Sequence, residues 1–183
     1  MFRMKKNLMY IYVGIWNHMI CYIPSYYLRW FFLRFFYRAK IDKGVNIHMG
    51  VKFFSPWKLK VKSGTNIQWG SFLDCRGGLD IGHNVDITLG VKILTQYHNI
   101  HDERYETISK KIIIEDNCII GSYSLLLPGS NIEKFGVLGA GSVLTKNVKE
   151  NTMFAGNPAK YIKRRNQIYI IKNRSSVANI LTM

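Results

Sequence analysis

The stretch Ile114-Glu115-Asp116-Asn117-Cys118-Ile119-Ile120-Gly121-Ser122-Tyr123-Ser124-Leu125-Leu126 carries an aliphatic residue at every sixth position. Ile132, Leu138 and Leu144 continue the beat. A repeat of six is too short for any helix-based unit. Upstream the beat runs in blocks of three: Ile41, Ile47 and Phe53; then Val61, Ile67 and Leu73; then Ile81, Ile87 and Ile93. Two residues before most of these positions stands a small or β-branched residue, as at Val45, Val51, Thr65, Ser71, Val85, Val91, Cys118, Ser124, Ser130, Gly136 and Ser142. Side chains at i and i−2 of a strand share one face, so both registers point inward. Three hexads make one turn, with Gly and Asn at the corners, where left-handed backbone is needed. The pattern predicts an all-β solenoid of about five three-sided coils. A sandwich of short strands would alternate with period two at wider spacing, and this chain does not.

Charge divides the 183 residues more sharply than their net charge of +15 suggests. All 11 acidic residues lie between Asp42 and Glu150, a span with 13 basic ones. The first 40 residues hold seven basic and no acidic residues, and the segment after Asn151 holds six basic and none acidic. The predicted organisation is therefore a basic, aromatic helical segment over 1–40, a solenoid domain over 41–155 and a basic extension with a short helix over 156–183. Basic tails suit phosphate-rich ligands or an anionic membrane. A nucleic-acid partner is not expected, because neither a basic stripe nor a recognised binding module appears. Three cysteines, Cys21, Cys75 and Cys118, are odd in number and lack metal-ligand spacing. That favours a reducing cytosol over a disulfide framework and gives little weight to a covalent thiol mechanism.

The stretch from Leu8 to Ile23 is apolar but interrupted by Asn17 and His18, too short and wet for a spanning helix. It has a basic start without a small-residue cleavage site. After Pro24, the run from Tyr26 to Arg38 interleaves aromatics with arginine. Two readings stay open, which are compatible: a cap over the exposed first coil, or an interfacial segment at the inner face of the cytoplasmic membrane.

Between Ile93 and Ile114 the beat fails. The inserted loop, 94–113, is polar and includes His98, His101, Asp102, Glu103 and Glu106. Solenoid insertions leave the coil on one face and commonly bind or catalyse. A histidine there can accept a proton at neutral pH.

The hexads resemble those of the hexapeptide-repeat acyltransferases. Thr95-Gln96-Tyr97-His98 followed by an acidic loop is similar to the site of galactoside and maltose acetyltransferases and of bacterial polysaccharide O-acetyltransferases. Ile119-Ile120-Gly121-Ser122, Leu127-Pro128-Gly129, Gly139-Ala140-Gly141-Ser142-Val143-Leu144-Thr145-Lys146 and Ala155-Gly156-Asn157-Pro158-Ala159-Lys160 follow the family signature. Leu73-Asp74-Cys75-Arg76-Gly77-Gly78 resembles the polysaccharide-modifying branch. The likeness covers about 41–165. It implies a left-handed parallel β-helix, a homotrimer, and acetyl-CoA in a groove between subunits, with no metal required. It also implies that His98 is the general base and that Ser122, Ala140, Thr145, Lys146, Lys160 and Lys163 contact the coenzyme. Two departures stand out: a tryptophan common before the Ile-Gly step is Ile119 here, and Lys160 stands where some members use arginine.

Acetyl transfer from a thioester needs a deprotonated acceptor oxygen and a stabilised oxyanion, with no covalent intermediate. Asp102 or a neighbouring-subunit group is expected to hold the second nitrogen of His98. A backbone N–H near Gly121 and Ser122 is expected to steady the oxyanion. Asp74 and Arg76, with Gln68 and Trp69 as further candidates, are expected to meet the acceptor; for Asp74, capping of the corner amides is the equal alternative. The expected activity is O-acetylation of a sugar hydroxyl in a bacterial surface-polysaccharide precursor. Its rivals are N-acetylation of a nucleotide-linked amino sugar or serine, a zinc carbonic anhydrase using His83, His98 and His101, and a non-catalytic scaffold.

Overall fold

The computed structural model describes residues 2–165, with side chains from Asn7 onward. From Lys40 the chain winds into a left-handed parallel β-helix of about six turns. Face one carries Lys40–Ile41, Leu59–Val61, Leu79–Ile81 and Ile112–Ile114, extended by single bridges through Ile132 to Val148. Face two stacks Asn46–Ile47, Asn66–Ile67, Asp86–Ile87, Ile119–Ile120, Val137–Leu138 and Thr152–Ala155. Face three stacks Lys52–Phe54, Phe72–Asp74, Lys92–Ile93, Leu125–Leu126 and Val143–Leu144. The hexad aliphatics form the core, each at most 2% exposed from Ile41 to Leu144. The second register is inward as well: Val51, Thr65, Ser71, Val85, Val91, Cys118 and Ser142 are fully buried.

The coil count exceeds the expected five because the last turn abandons the beat. Val148 follows Leu144 by four residues, yet it is buried and bridges Ile132. Met153 and Phe154 then pair with Val137 and Leu138. The chain next reverses, and Lys160–Arg164 runs antiparallel to Thr152–Ala155. The short helix expected in the 156–183 extension is not among the described residues, where Lys160–Arg164 is a strand, and 166–183 lie outside them.

The corner between faces one and two shows how the sequence makes the chain bend. Gly44, Gly64, Asn84, Asn117, Phe135 and Asn151 occupy successive turns, all with φ between +54° and +78°. Gly and Asn tolerate this left-handed backbone best, and Phe135 is the departure.

A parallel solenoid leaves unpaired strand edges on its first coil, and the N-terminal segment covers them. Helix α1 (Phe2–His18) lies across face three. Trp16, fully buried, donates from Nε1 to the Val51 carbonyl at 3.0 Å. The Asn17 amide imitates a neighbouring strand: Nδ2 donates to the Phe53 carbonyl at 3.0 Å, and Oδ1 accepts from the Phe53 N–H at 2.9 Å. From helix α2 (Tyr26–Phe31) the buried Arg29 donates from Nε to the Ile47 carbonyl at 2.8 Å on face two, and from a terminal nitrogen to the Ile23 carbonyl. Trp30 donates to the Asp42 carbonyl at 3.1 Å and Arg34 to the Ile41 carbonyl on face one. All three faces of the first coil thus gain side-chain partners. Removing Asn17 leaves a buried N–H and C=O at Phe53 without partners, so Asn17→Ala should cost about 2 kcal/mol in urea unfolding. An unchanged unfolding midpoint would mean that water satisfies this edge.

Candidate active site

The insertion begins at the edge between faces three and one and does not disturb the ladder beneath it. Ile81 pairs directly with Ile114 across the interruption. Residues 96–109 leave the coil as an antiparallel hairpin in which Gln96, Tyr97 and His98 face Ser109, Ile108 and Thr107. At its root Lys110 N–H donates to the Thr95 carbonyl at 2.8 Å, and Gln96 Nε2 donates to Ser109 Oγ at 2.7 Å.

His98 ends the first strand of this hairpin with its ring exposed. Its Nδ1 lies 3.0 Å from the Tyr105 carbonyl oxygen, and the two rings stack at 4.5 Å with 8° between their planes. A carbonyl only accepts, so Nδ1 carries the proton and Nε2 is left as the acceptor nitrogen. Thr107 Oγ1 lies 3.4 Å from the same Nδ1. Asp102, expected to orient this imidazole, is used elsewhere. Its Oδ1 accepts from Arg104 N–H at 3.0 Å, and its carbonyl accepts from Tyr105 N–H at 2.8 Å. Asp102 therefore builds the turn that presents the Tyr105 carbonyl.

One coil below, Asp74 is fully buried, and its carboxylate gathers Arg76 N–H at 3.0 Å, Arg76 Nε at 2.8 Å and Arg76 Nη2 at 3.0 Å. Thr95 N–H also reaches Asp74 Oδ2, at 3.3 Å, and Thr95 Oγ1 in turn accepts from Gly77 N–H at 2.8 Å. The carboxylate has no open face for a ligand and ties the corner to the root of the hairpin. Arg76, by contrast, keeps 44% of its side chain exposed, with its guanidinium 5.0 Å from the Phe54 ring centre.

The winding assigns the candidate residues to two different edges of the prism. Asp74, Arg76, the His98 hairpin, Thr145 and Lys146 follow one another up the edge between faces three and one. Gln68, Ser122 and Ala140 line the edge between faces two and three, and Lys160 begins the reversed strand whose Lys163 lies opposite Met153. Within one chain the width of face three separates the groups. The upper part of the second edge is built of small residues, Gly121-Ser122, Gly139-Ala140-Gly141 and Ala155-Gly156, stacked closely coil on coil, with the exposed Tyr123 ring beside them. A Cβ at Gly121 would stand 2.3 Å from the Ala140 nitrogen, and one at Gly139 would stand 2.8 Å from the Ala155 Cβ. Ser122 Oγ donates to Thr88 Oγ1 at 3.1 Å. The Gly121 N–H, expected near an oxyanion, is spent on the Leu138 carbonyl at 2.7 Å. Small residues with the exposed Lys160 opposite Ala155 suit an extended pantetheine arm ending in phosphates, and the exposed Lys163, opposite Met153, lies further along the reversed strand.

Lower on that edge, Trp69 donates from Nε1 to His48 Nδ1 at 2.7 Å, and His48 Nε2 meets Asn66 Oδ1 at 3.1 Å. Burial lowers the pKa of His48, which keeps the ring neutral and able to accept from the indole. Trp69 thus stands in a fixed orientation beside a cavity of about 420 Å³ lined also by Tyr22, Met49, Lys52 and Phe72. The sequence marked Trp69 without its partner, because His48 lies a full coil away.

Other candidate chemistry is placed differently. His83 sits at the edge between faces one and two, its Nδ1 3.0 Å from Ser63 Oγ, so the imidazoles of His83, His98 and His101 do not converge within this chain. The three cysteines are buried and unpaired, and burial pushes the Cys118 thiol up to about 12. That disfavours the thiolate a covalent mechanism would require.

No family model matches the chain. Individual relatives do. The chain is 32% identical to the galactoside O-acetyltransferase of Escherichia coli over 126 residues, covering 67% of this chain and 56% of that protein. It is 31% identical over 144 residues to the protein named "Putative colanic acid biosynthesis acetyltransferase WcaF" from E. coli, covering 78% of this chain and 79% of that one. The chain spans 55–58% of the length of the first matched curated relatives. Among solved structures, the hexapeptide-repeat acetyltransferase of Vibrio cholerae in complex with acetyl-CoA superposes with a TM-score of 0.79 at 22% identity, covering 88% of this chain and 89% of that chain. The hexad core, the hairpin edge and the likeness to WcaF over most of both chains agree, and the chain belongs to the hexapeptide-repeat acetyltransferase family.

Proposed function

We propose that this protein is an acetyl-CoA-dependent O-acetyltransferase that acetylates a sugar hydroxyl of a bacterial surface-polysaccharide precursor, and that it works as a homotrimer. The single observation carrying the catalytic part is the His98 Nδ1–H donated to the Tyr105 carbonyl, which leaves Nε2 as a general base. The acceptor class rests on relatives whose names specify galactoside O-acetylation and colanic acid biosynthesis.

His98 Nε2 takes the proton of the acceptor hydroxyl as the oxygen attacks the thioester carbon. The carbonyl π electrons move to oxygen, and collapse of the tetrahedral adduct expels the coenzyme thiolate. That thiolate takes the proton back from the imidazolium, giving the sugar ester and the free thiol. The Tyr105 carbonyl favours the imidazolium by accepting its Nδ1–H, as the orienting partner of a catalytic histidine does. Arg76, held by Asp74 beneath the hairpin, would hydrogen-bond the acceptor, with Gln68 and Trp69 contributing from the other edge. Ser122, Ala140, Thr145, Lys146, Lys160 and Lys163 would hold the coenzyme.

The division of these residues between two edges supports the trimer. Complementary edges of two neighbouring copies bring the base and the small-residue edge into one cleft, which a single copy does not do. Light scattering of the purified chain should give three times the monomer mass. Thiol release from acetyl-CoA should depend on a sugar acceptor, read across a panel of galactosides, glucosides and fucosides. Release with amino sugars alone, giving acid-stable amides, would replace O-acetylation with N-acetylation.

A further inference from the structure

The outer surface of the N-terminal cap carries apolar residues that its role on the first coil does not use. Helix α1 turns Val13, Trp16 and Asn17 inward, while Leu8 (60% exposed), Ile11 (61%), Ile15 (42%) and Met19 (67%) follow a second stripe on its outer side. A surface helix is ordinarily polar on that side, and one that is apolar on both is covered by something further. Tyr22, Tyr27, Leu28, Phe35 and Phe36 of the same N-terminal segment are exposed as well. Arg34, Arg38 and Lys40 are exposed there too, and the first 40 residues contain no carboxylate.

We infer that this face lies in the headgroup region of an anionic membrane, the chain resting on the bilayer by the outer side of its cap. The aliphatic stripe supplies the buried area, the rings of Tyr22, Tyr27, Phe35 and Phe36 suit the boundary between headgroup and acyl chain, and the cations meet lipid phosphates. No helix among the described residues is long and apolar enough to cross a membrane, so the contact is interfacial. A second copy of the chain is the less fitting occupant, because it would bring the same unbalanced positive charge against itself. Resting on the proposed activity, the inference also narrows the acceptor. The His98 hairpin leaves the third coil, two coils or roughly 10 Å along the axis from the capped end, so it would meet sugars displayed close to a membrane, as on a lipid-linked precursor.

The test is co-sedimentation of the full-length chain with vesicles of phosphatidylcholine alone or mixed equally with phosphatidylglycerol. Binding to the anionic vesicles should exceed binding to the neutral ones by at least tenfold and fall as salt is raised. Ile11→Gln combined with Ile15→Gln, two outer-side changes that spare the packed face, should lower binding at least tenfold with unchanged thermal unfolding and coenzyme A affinity. A wild-type chain left in the supernatant, or a double variant that binds equally, overturns the inference. So does a variant whose only change is loss of self-association, since that assigns the face to another copy. Coenzyme affinity reads the proposed activity separately, so failure of one reading is distinguishable from failure of the other.

Discussion

His98→Ala is expected to lower acceptor-dependent thiol release by about a hundred- to ten-thousand-fold, the usual contribution of a positioned general base. The loss should fall on kcat, with coenzyme A affinity by calorimetry and the oligomer unchanged, because Ser122, Ala140 and Lys160 lie away from the His98 edge of the same chain, and Thr145 and Lys146, on that edge, stand two coils further up. Tyr105→Phe provides a sharp companion. The group that fixes the imidazole is the Tyr105 backbone carbonyl at 3.0 Å, and the phenyl ring preserves the stack. The phenol is therefore dispensable, and this variant should keep near wild-type kcat. Should His98→Ala stay active while His101→Ala is inactive, the base has been misassigned.

The largest expected effect on stability belongs to Arg76→Ala. A half-exposed arginine resembles a surface ion-pair partner, for which at most about 1 kcal/mol would be lost. Here the partner is the fully buried Asp74 carboxylate, and removing the guanidinium leaves that charge with only two backbone amides, those of Arg76 and Thr95. A stranded buried charge costs about 3–5 kcal/mol, readable in urea or thermal unfolding. Asp74→Asn combined with Arg76→Ala should recover part of that loss, since a neutral amide oxygen still accepts from the backbone without the burial cost of a charge. A loss below about 1 kcal/mol for Arg76→Ala would show that solvent reaches the carboxylate.

Much of the architecture was legible from the spacing of aliphatics. Ile81 and Ile114 are 33 residues apart, yet both keep the inward position that pairs them, and the polar run between them announced an excursion at that edge. What escaped the periodic reading were places where contacts override spacing. The sixth turn closes through Val148, four residues after Leu144, because a buried valine on face one fills the core as well as a hexad aliphatic. At the site, acidic character pointed to Asp102 as the partner of His98. The interaction that forms uses a main-chain oxygen, which every residue has and which no composition can flag. Tyr105 had no signal beyond lying in the loop.

The N-terminal segment shows the same division. Its aromatics and arginines were conspicuous, but their pattern suited two compatible roles, capping ahead of membrane contact. The hydrogen bonds of Asn17, Arg29 and Trp30 to the first coil assign the inner side to capping.

The sequence by itself determined that this chain coils, how its inward registers alternate and where a hairpin interrupts them, because strand alternation and turn preference act between residues a few bonds apart. Only the tertiary structure decided which edge carries each candidate residue, that Asp74 is sealed while Arg76 is open, and that the Tyr105 carbonyl sets the tautomer of His98. Those outcomes depend on how successive coils stack and how the loop folds back, and such contacts join residues whose separation along the chain says nothing of their distance in space.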